Sequence, residues 1–264
     1  MTIGFDAISD NKEYITEMHK SMYDKLFFAS RVNVNAILDF GCADGALIRA
    51  HEQLFPSVRM VGYDLNPDML QAANEAKEEN PDSQAIFTAS WDKAVHKVVK
   101  QSPVSAILLS SVLHEVYSYC EGEEFNEFWR RLWNSGFDYV IIRDMVATNA
   151  LYRDSEPEDV MAVRQRINDH RLWQWENEWG PITRQNSLHH LLLTHRYIAN
   201  WEREYKENYL AVQSETFQKR VPSTYVPMYV EHYTLPFIKE QVYRYFGIHM
   251  TDVTHMKMIL KRVP

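Results

Sequence analysis

Between residues 36 and 142 short apolar runs alternate with amphipathic segments, and that alternation restricts the fold more than any other feature of the chain. The runs are Ala36–Phe40, Arg59–Tyr63, Gln84–Ala89, Ala106–Ser110 and Tyr139–Ile142. Each is too short for an ordinary helix and has the composition of a strand buried on both faces. Between them, Ala46–Phe55, Asn66–Glu79, a stretch reaching about Lys100, and Glu121–Trp133 read as helices. Asn66-Pro67 marks one helix start, with proline in the first turn. Strand and helix in strict alternation mean βαβ units and a parallel sheet covered by helices on both sides. The expectation is therefore an α/β, doubly wound, mostly parallel seven-stranded sheet of Rossmann-like form. Its last two strands come from Tyr225–Tyr233 and Met256–Arg262, separated by a helix over Phe237–Phe246.

Two regions depart from the alternation. Glu13–Ser30 reads as an amphipathic helix, with Met18, Met22, Leu26 and Phe27 near helical spacing. Beyond Asp144, Glu156–Glu178 and Ser187–Val212 read as long helices. The chain thus divides into an N-terminal helix (1–30), an α/β core (31–146), a helical insertion or cap (147–222) and closing strands (223–264). No Gly/Ser-rich linker separates the insertion. Trp173, Trp175, Trp179 and Trp201 suit the core of that insertion. Arg196, Arg203, Lys206, Lys219 and Arg220 fall among aromatics there, and Glu202, Glu204 and Glu207 interleave with them as on a solvated helix.

Charge and cysteine usage narrow the function. The net charge of −8, from 28 basic and 36 acidic side chains, disfavours large nucleic acids as partners. Cys42 and Cys120 make no disulfide framework. His189, His190 and His195 lack metal-ligand spacing, so no metal site is expected. No stretch approaches the ~18 apolar residues of a membrane span, and Met1–Asp10 lacks a signal-peptide pattern. A cytoplasmic protein without a membrane partner is expected. No pattern specifies an oligomeric state.

The richest segment is the turn after the first strand, Asp39-Phe40-Gly41-Cys42-Ala43-Asp44-Gly45. Gly41 and Gly45 let the backbone turn sharply and approach a ligand. The following helix aims its free N–H groups the same way. Asp64 ends the second strand beside this turn, where a carboxylate accepts hydrogen bonds from a ribose diol. A nicotinamide dinucleotide wants G-x-G-x-x-G, and the slots here read Gly41-x-Ala43-x-x-Ala46. A pyrophosphate is also poorly matched to Asp39 and Asp44. S-adenosylmethionine has no phosphate and carries an ammonium and a sulfonium, which acidic residues suit.

Residues 39–45 resemble the D-x-G-x-G-x-G turn of class I S-adenosylmethionine-dependent methyltransferases, with Ala43 in the middle glycine slot. The resemblance extends over about residues 13–145. It implies S-adenosyl-L-methionine as cofactor, held by Asp39, Phe40, Gly41, Cys42, Ala43 and Gly45. Asp64, within Val61-Gly62-Tyr63-Asp64-Leu65-Asn66, is similar to the family's ribose-binding acid, and Leu65 and Met69 fall beside the adenine. Ser90-Trp91-Asp92 resembles the adenine-edge segment, although Trp91 serves equally as a core aromatic. Ser110-Ser111-Val112-Leu113-His114 resembles the fourth-strand motif beneath the methyl group and places Ser111 at the cofactor. The N-terminal helix resembles one that covers the cofactor.

Methyl transfer is an in-line displacement, helped mostly by positioning; a base is needed only when the acceptor must lose a proton. The candidates follow the fourth and fifth strands, where ligands bind in open sheets. His114 suits a base or donor, Glu115 is placed to orient it, and Asp144 follows Arg143 at the end of the fifth strand. The expected function is methyl transfer to a small-molecule or nucleotide acceptor under the insertion. The alternatives are another reaction of the same cofactor, a cofactor sensor, and an NAD-type dehydrogenase that the missing glycines disfavour.

Overall fold

The computed structural model describes residues 21–120, 122–147, 149–194, 212–213, 217 and 219–263. The expectations for residues 13–20 and for Arg196, Trp201, Arg203 and Lys206 lie outside these. A short helix, α1 (Met22–Lys25), precedes β1 (Ala36–Phe40), α2 (Ala46–Leu54), β2 (Arg59–Tyr63), α3 (Pro67–Glu78) and β3 (Ile86–Thr88). Then come α4 (Trp91–Val95), continued by a π-helical turn to Lys100, β4 (Ser105–Ser110), α5 (Leu113–Tyr119), α6 (Gly122–Asn134) and β5 (Tyr139–Ala147). The rest comprises a 3-10 turn (Asn149–Tyr152), α7 (Pro157–Arg164), α8 (Asp169–Trp179), α9 (Gln185–Thr194), β6 (Val212–Gln213), β7 (Tyr225–Tyr233), α10 (Pro236–Phe246) and β8 (His255–Arg262).

The main path of the sheet has the order β3-β2-β1-β4-β5-β8-β7, with the two-residue β6 beside β5. β3, β2, β1, β4 and β5 pair in parallel. β8 is antiparallel to β5: Arg262 N–H donates to Asp138 O, and Val146 N–H to Thr254 O. β7 opposes β8 in the same sense, through Val263 N–H to Thr224 O and Thr254 N–H to Tyr233 O. The reversal of order at β1 and β4 puts the topological switch at the carboxyl ends of those strands, where open sheets bind ligands.

Every residue from Ala106 to Leu109 and from Val140 to Ile142 is buried, which is why these strands read as unbroken apolar runs. Gly62, on β2, sits under close packing. A Cβ there would lie 2.6 Å from Phe87 Cδ1 and 2.7 Å from Cys42 Sγ. Gly62→Ala should cost about 1–3 kcal/mol through overpacking, measured by urea denaturation. Unchanged stability would mean that Phe87 swings aside freely.

The described residues form two compact units, one within 1–144, 218–231 and 257–264, the other within 145–217 and 232–256. The second unit has its own apolar core. Val163, Leu172, Trp175, Leu188 and Leu192 pack there with Ile238, Val242 and Phe246. Helix α10, expected with the closing strands, therefore belongs to the helical unit, because its apolar face is buried there. Trp175 is in this core with Trp179 against it, whereas Trp173 is exposed and stacks on His170.

The long helix expected over Glu156–Glu178 is two helices. Asn168 accepts a hydrogen bond from His170 N–H and caps α8, an N-cap signal that apolar periodicity overlooks. The helix expected over Ser187–Val212 corresponds to α9 as far as Thr194, and Val212 pairs as a strand with Val146. Helix α5 was not expected.

Candidate active site

The turn between β1 and α2 wraps the end of β2. Gly41 and Cys42 N–H both donate to Tyr63 O, at 2.8 and 3.1 Å. Gly41, Ala43 and Gly45 have φ of +74°, +46° and +73°. For Ala43 that conformation costs roughly 1–2 kcal/mol, and Asp64 offsets part of it. Asp64 Oδ2 accepts Ala43 N–H at 2.8 Å, and Oδ1 accepts Asn66 N–H at 2.9 Å. Asp64 therefore stands beside the turn, and Asn66 caps α3 by accepting from Asp68 and Met69 N–H.

Asp39 is buried, and burial pushes its carboxyl up to about 7; Lys25 opposes the rise and Asp64 adds to it. Among the described residues, none donates a hydrogen bond to its carboxylate. Lys25, buried on α1, is held down to about 8 by burial and then by Arg143, while Asp39, Asp44 and Asp24 act the other way. Lys25 was not anticipated, and a lysine beside Leu26 and Phe27 in an apolar stretch was its signal. Asp44, expected to help attract a cation, is already engaged. Its carboxylate pairs with Arg49 at 3.0 Å and accepts Ala46 N–H at 3.2 Å. Burial and the neighbouring aspartates push the Cys42 thiol upward.

The aromatic residues nearby pack on one another. Phe40 and Tyr63 are register partners, and Trp91 meets both edge-on with centroids 5.6 Å away. Met69 is buried and Leu65 is exposed. Ser90 caps α4 by accepting Lys93 N–H at 3.3 Å, and Asp92 is exposed in that helix's first turn.

The segment after β4 forms the other half. Ser111 has φ +60° and is tied to β5: its N–H donates to Arg143 O, and its Oγ accepts from Arg143 Nη1, each at 2.7 Å. Arg143 is buried and its Nε donates to Asp24 Oδ2 at 2.7 Å. Lys257 Nζ lies 2.5 Å from Asp24 Oδ1. Asp144, on the opposite face of β5, is only 1% exposed. Its Oδ2 accepts Val112, Leu113 and His114 N–H at 2.9, 2.6 and 3.3 Å, and its Oδ1 lies 2.7 Å from His114 Nδ1. Arg143 and Asp144 are thus not a pair; each finds its partner on its own face. The carboxylate that orients His114 is Asp144, and Glu115 is half-buried in the first turn of α5. The Asp144 carboxylate facing Nδ1 favours a proton on that nitrogen.

Among the described residues, no three His, Cys, Asp or Glu side chains are grouped to hold a metal ion, and no helix is long and apolar enough to cross a membrane.

Residues 38–136 match the methyltransferase-domain family. No curated protein matches the sequence. Among solved structures, the PH0226 protein from Pyrococcus horikoshii OT3 is similar in fold, with 10% identity and a TM-score of 0.50 over 96% of this chain and 93% of that one. The plantazolicin methyltransferase BpumL, in complex with a triazolic desmethylPZN analog and SAH, aligns with 11% identity and a TM-score of 0.48, over 98% of this chain and 89% of that one. Residues 38–136 are thus a methyltransferase domain, and S-adenosylmethionine is its cofactor.

Proposed function

We propose that the chain methylates a small molecule or nucleotide, with Asp39 and Asp64 holding the donor and His114 taking the acceptor's proton. The observation that carries the donor half is Asp39: a buried carboxylate beside the turn to which no described residue donates. The bound cofactor supplies an electrophilic methyl group on sulfur. Asp39 offers its carboxylate to the methionyl ammonium. Asp64 already accepts one N–H on each oxygen and retains lone pairs for a ribose diol. Phe40, Gly41, Cys42, Ala43 and Gly45 shape the cradle. Leu65 and Met69 flank the adenine, and Ser90, Trp91 and Asp92 border its edge. Ser111, fixed by Arg143, borders the methyl group.

His114 acts through Nε2, because Asp144 occupies the Nδ1 side and fixes the tautomer. Nε2 would receive the nucleophile's proton as the methyl group passes from sulfur to the acceptor, the carbon–sulfur bond breaking with its electron pair left on sulfur. Glu115 is a further candidate in the same turn. The negative net charge favours a compact acceptor over a large nucleic acid.

Asp64→Ala should weaken S-adenosylhomocysteine binding by about 1–3 kcal/mol, since it leaves polar partners unpaired. Calorimetric titration measures this, and unchanged affinity would remove Asp64 from the site. Radiolabelled methyl transfer into separated metabolite, nucleotide and RNA fractions tests the acceptor class. Label confined to RNA would refute it.

A further inference from the structure

A cavity of about 240 Å³ lies wholly within the second unit. Gln185, His189, Leu192, Ile248 and Met250 form its buried part. Arg153, Glu156 and His249 are exposed at its margin. Its buried polar groups are incompletely satisfied. His189 is 3% exposed, yet neither ring nitrogen has a hydrogen-bond partner among the described residues. Its nearest carboxylate oxygen, Asp252 Oδ2, is 3.8 Å from Nδ1, beyond hydrogen-bond reach. Gln185 Nε2 donates to that same oxygen at 2.5 Å. This fixes the amide and leaves Oε1 as a buried acceptor with no donor. Folded proteins carry few such groups, because leaving them unsatisfied costs stability.

The charges narrow the ligand. Glu156, Asp159 and Asp252 outnumber Arg153, which is already engaged by Glu156 at 2.9 Å and Asp252 at 3.6 Å. Burial, then Glu156 and Glu158, raise the Asp159 carboxyl, whereas His189, Gln185 and Arg153 lower that of Asp252 against the effect of burial, so Asp252 stays ionised to face a cation and the surplus negative charge lies toward Asp159. An anion is therefore disfavoured. A protonated primary amine brings three donors and no acceptor, which suits open acceptors at Gln185 and His189. Leu192, Ile248 and Met250 offer an apolar wall to the rest of such a molecule.

We propose that this cavity binds a small molecule carrying a primary ammonium on a short apolar body, with the ammonium donating to Gln185 Oε1 and His189 and facing Asp252. The site is built from residues unconnected with the glycine turn, so it stands or falls independently of the donor assignment.

Three probes of similar shape test it on the full chain by calorimetry: isopentylamine, isopentanol and isocaproate. The amine should bind roughly tenfold tighter than the alcohol, and the carboxylate should not bind. The His189 ring signals in nitrogen-15 NMR should shift with the amine alone. Gln185→Leu and Asp252→Asn should each weaken amine binding roughly tenfold and leave S-adenosylhomocysteine affinity unchanged. Equal binding of all three probes, preference for the carboxylate, no amine binding at millimolar concentration, or undiminished binding in both variants would overturn the proposal. Should a variant fail to fold, the ranking of probes on the natural chain decides.

Discussion

Cofactor affinity should rise by roughly 50-fold between pH 5 and pH 7 and level off about one pH unit higher, because each pH unit below the carboxyl's pKa costs up to tenfold. The group responsible is Asp39, pushed up to about 7 chiefly by burial. Below that pH the free protein holds it neutral, and an ammonium binds its ionised form. Binding in that range must therefore expel a proton. Lys25, held down to about 8, keeps most of its charge over the same range, so the profile belongs to Asp39.

The sign for stability is opposite in the free protein. A carboxyl raised in the folded state favours folding at acid pH, and that contribution is lost between the unfolded value near 4 and about 7. Titration at pH 6 in buffers of different ionisation heat should reveal close to one proton released, and Asp39→Asn should abolish both the release and the slope. A natural chain whose affinity is flat from pH 5 to 7 would dismiss Asp39 as the ammonium's partner.

Asp144→Ala should lower stability by about 3–5 kcal/mol, because several buried donors lose their acceptor at once, at roughly 1–3 kcal/mol each. Among the described contacts, two oxygens serve three N–H groups where α5 begins and the His114 ring. Buried donors left without acceptors account for the size of the effect. Asp144→Asn separates fold from chemistry. Its remaining oxygen still receives the N–H groups, so stability should stay closer to the natural value. Its amide presents a donor to His114 Nδ1, which favours a proton on Nε2 and removes the acceptor. Turnover should fall ~10²–10⁴-fold, the usual worth of a general base, while S-adenosylhomocysteine affinity is kept. Chemical denaturation and single-turnover methyl transfer measure the two halves. Full turnover in Asp144→Asn would eliminate His114 as the base.

The parallel half of the sheet was readable because its signals are local. Unbroken apolar runs, Pro67 in a first turn, and glycines at 41 and 45 each act within a few residues. The features that escaped are those whose cause lies far along the chain. Helix α5 starts at Leu113 because Asp144, some thirty residues later, receives its first N–H groups, and nothing between 110 and 120 announces that. The partners of Arg143 were invisible for the same reason, since Asp24 is 119 residues away. Asp44 looked like a free acid until the fold placed Arg49 one turn along α2 against it. The long helix expected over Glu156–Glu178 failed differently: the apolar spacing continues through Asn168, but its side chain does more good as a cap than inside a helix. Sorting α10 into the helical unit required knowing which core its apolar face meets.

The opposed directions of Arg143 and Asp144 also act as a key for aligning β5. A slip of one residue would invert both side chains together. The guanidinium would be thrust toward His114, and a carboxylate would confront Asp24 with like charge. Misalignment would thus be penalised on both sides of the sheet at once, and the strand settles only in the setting that satisfies both faces.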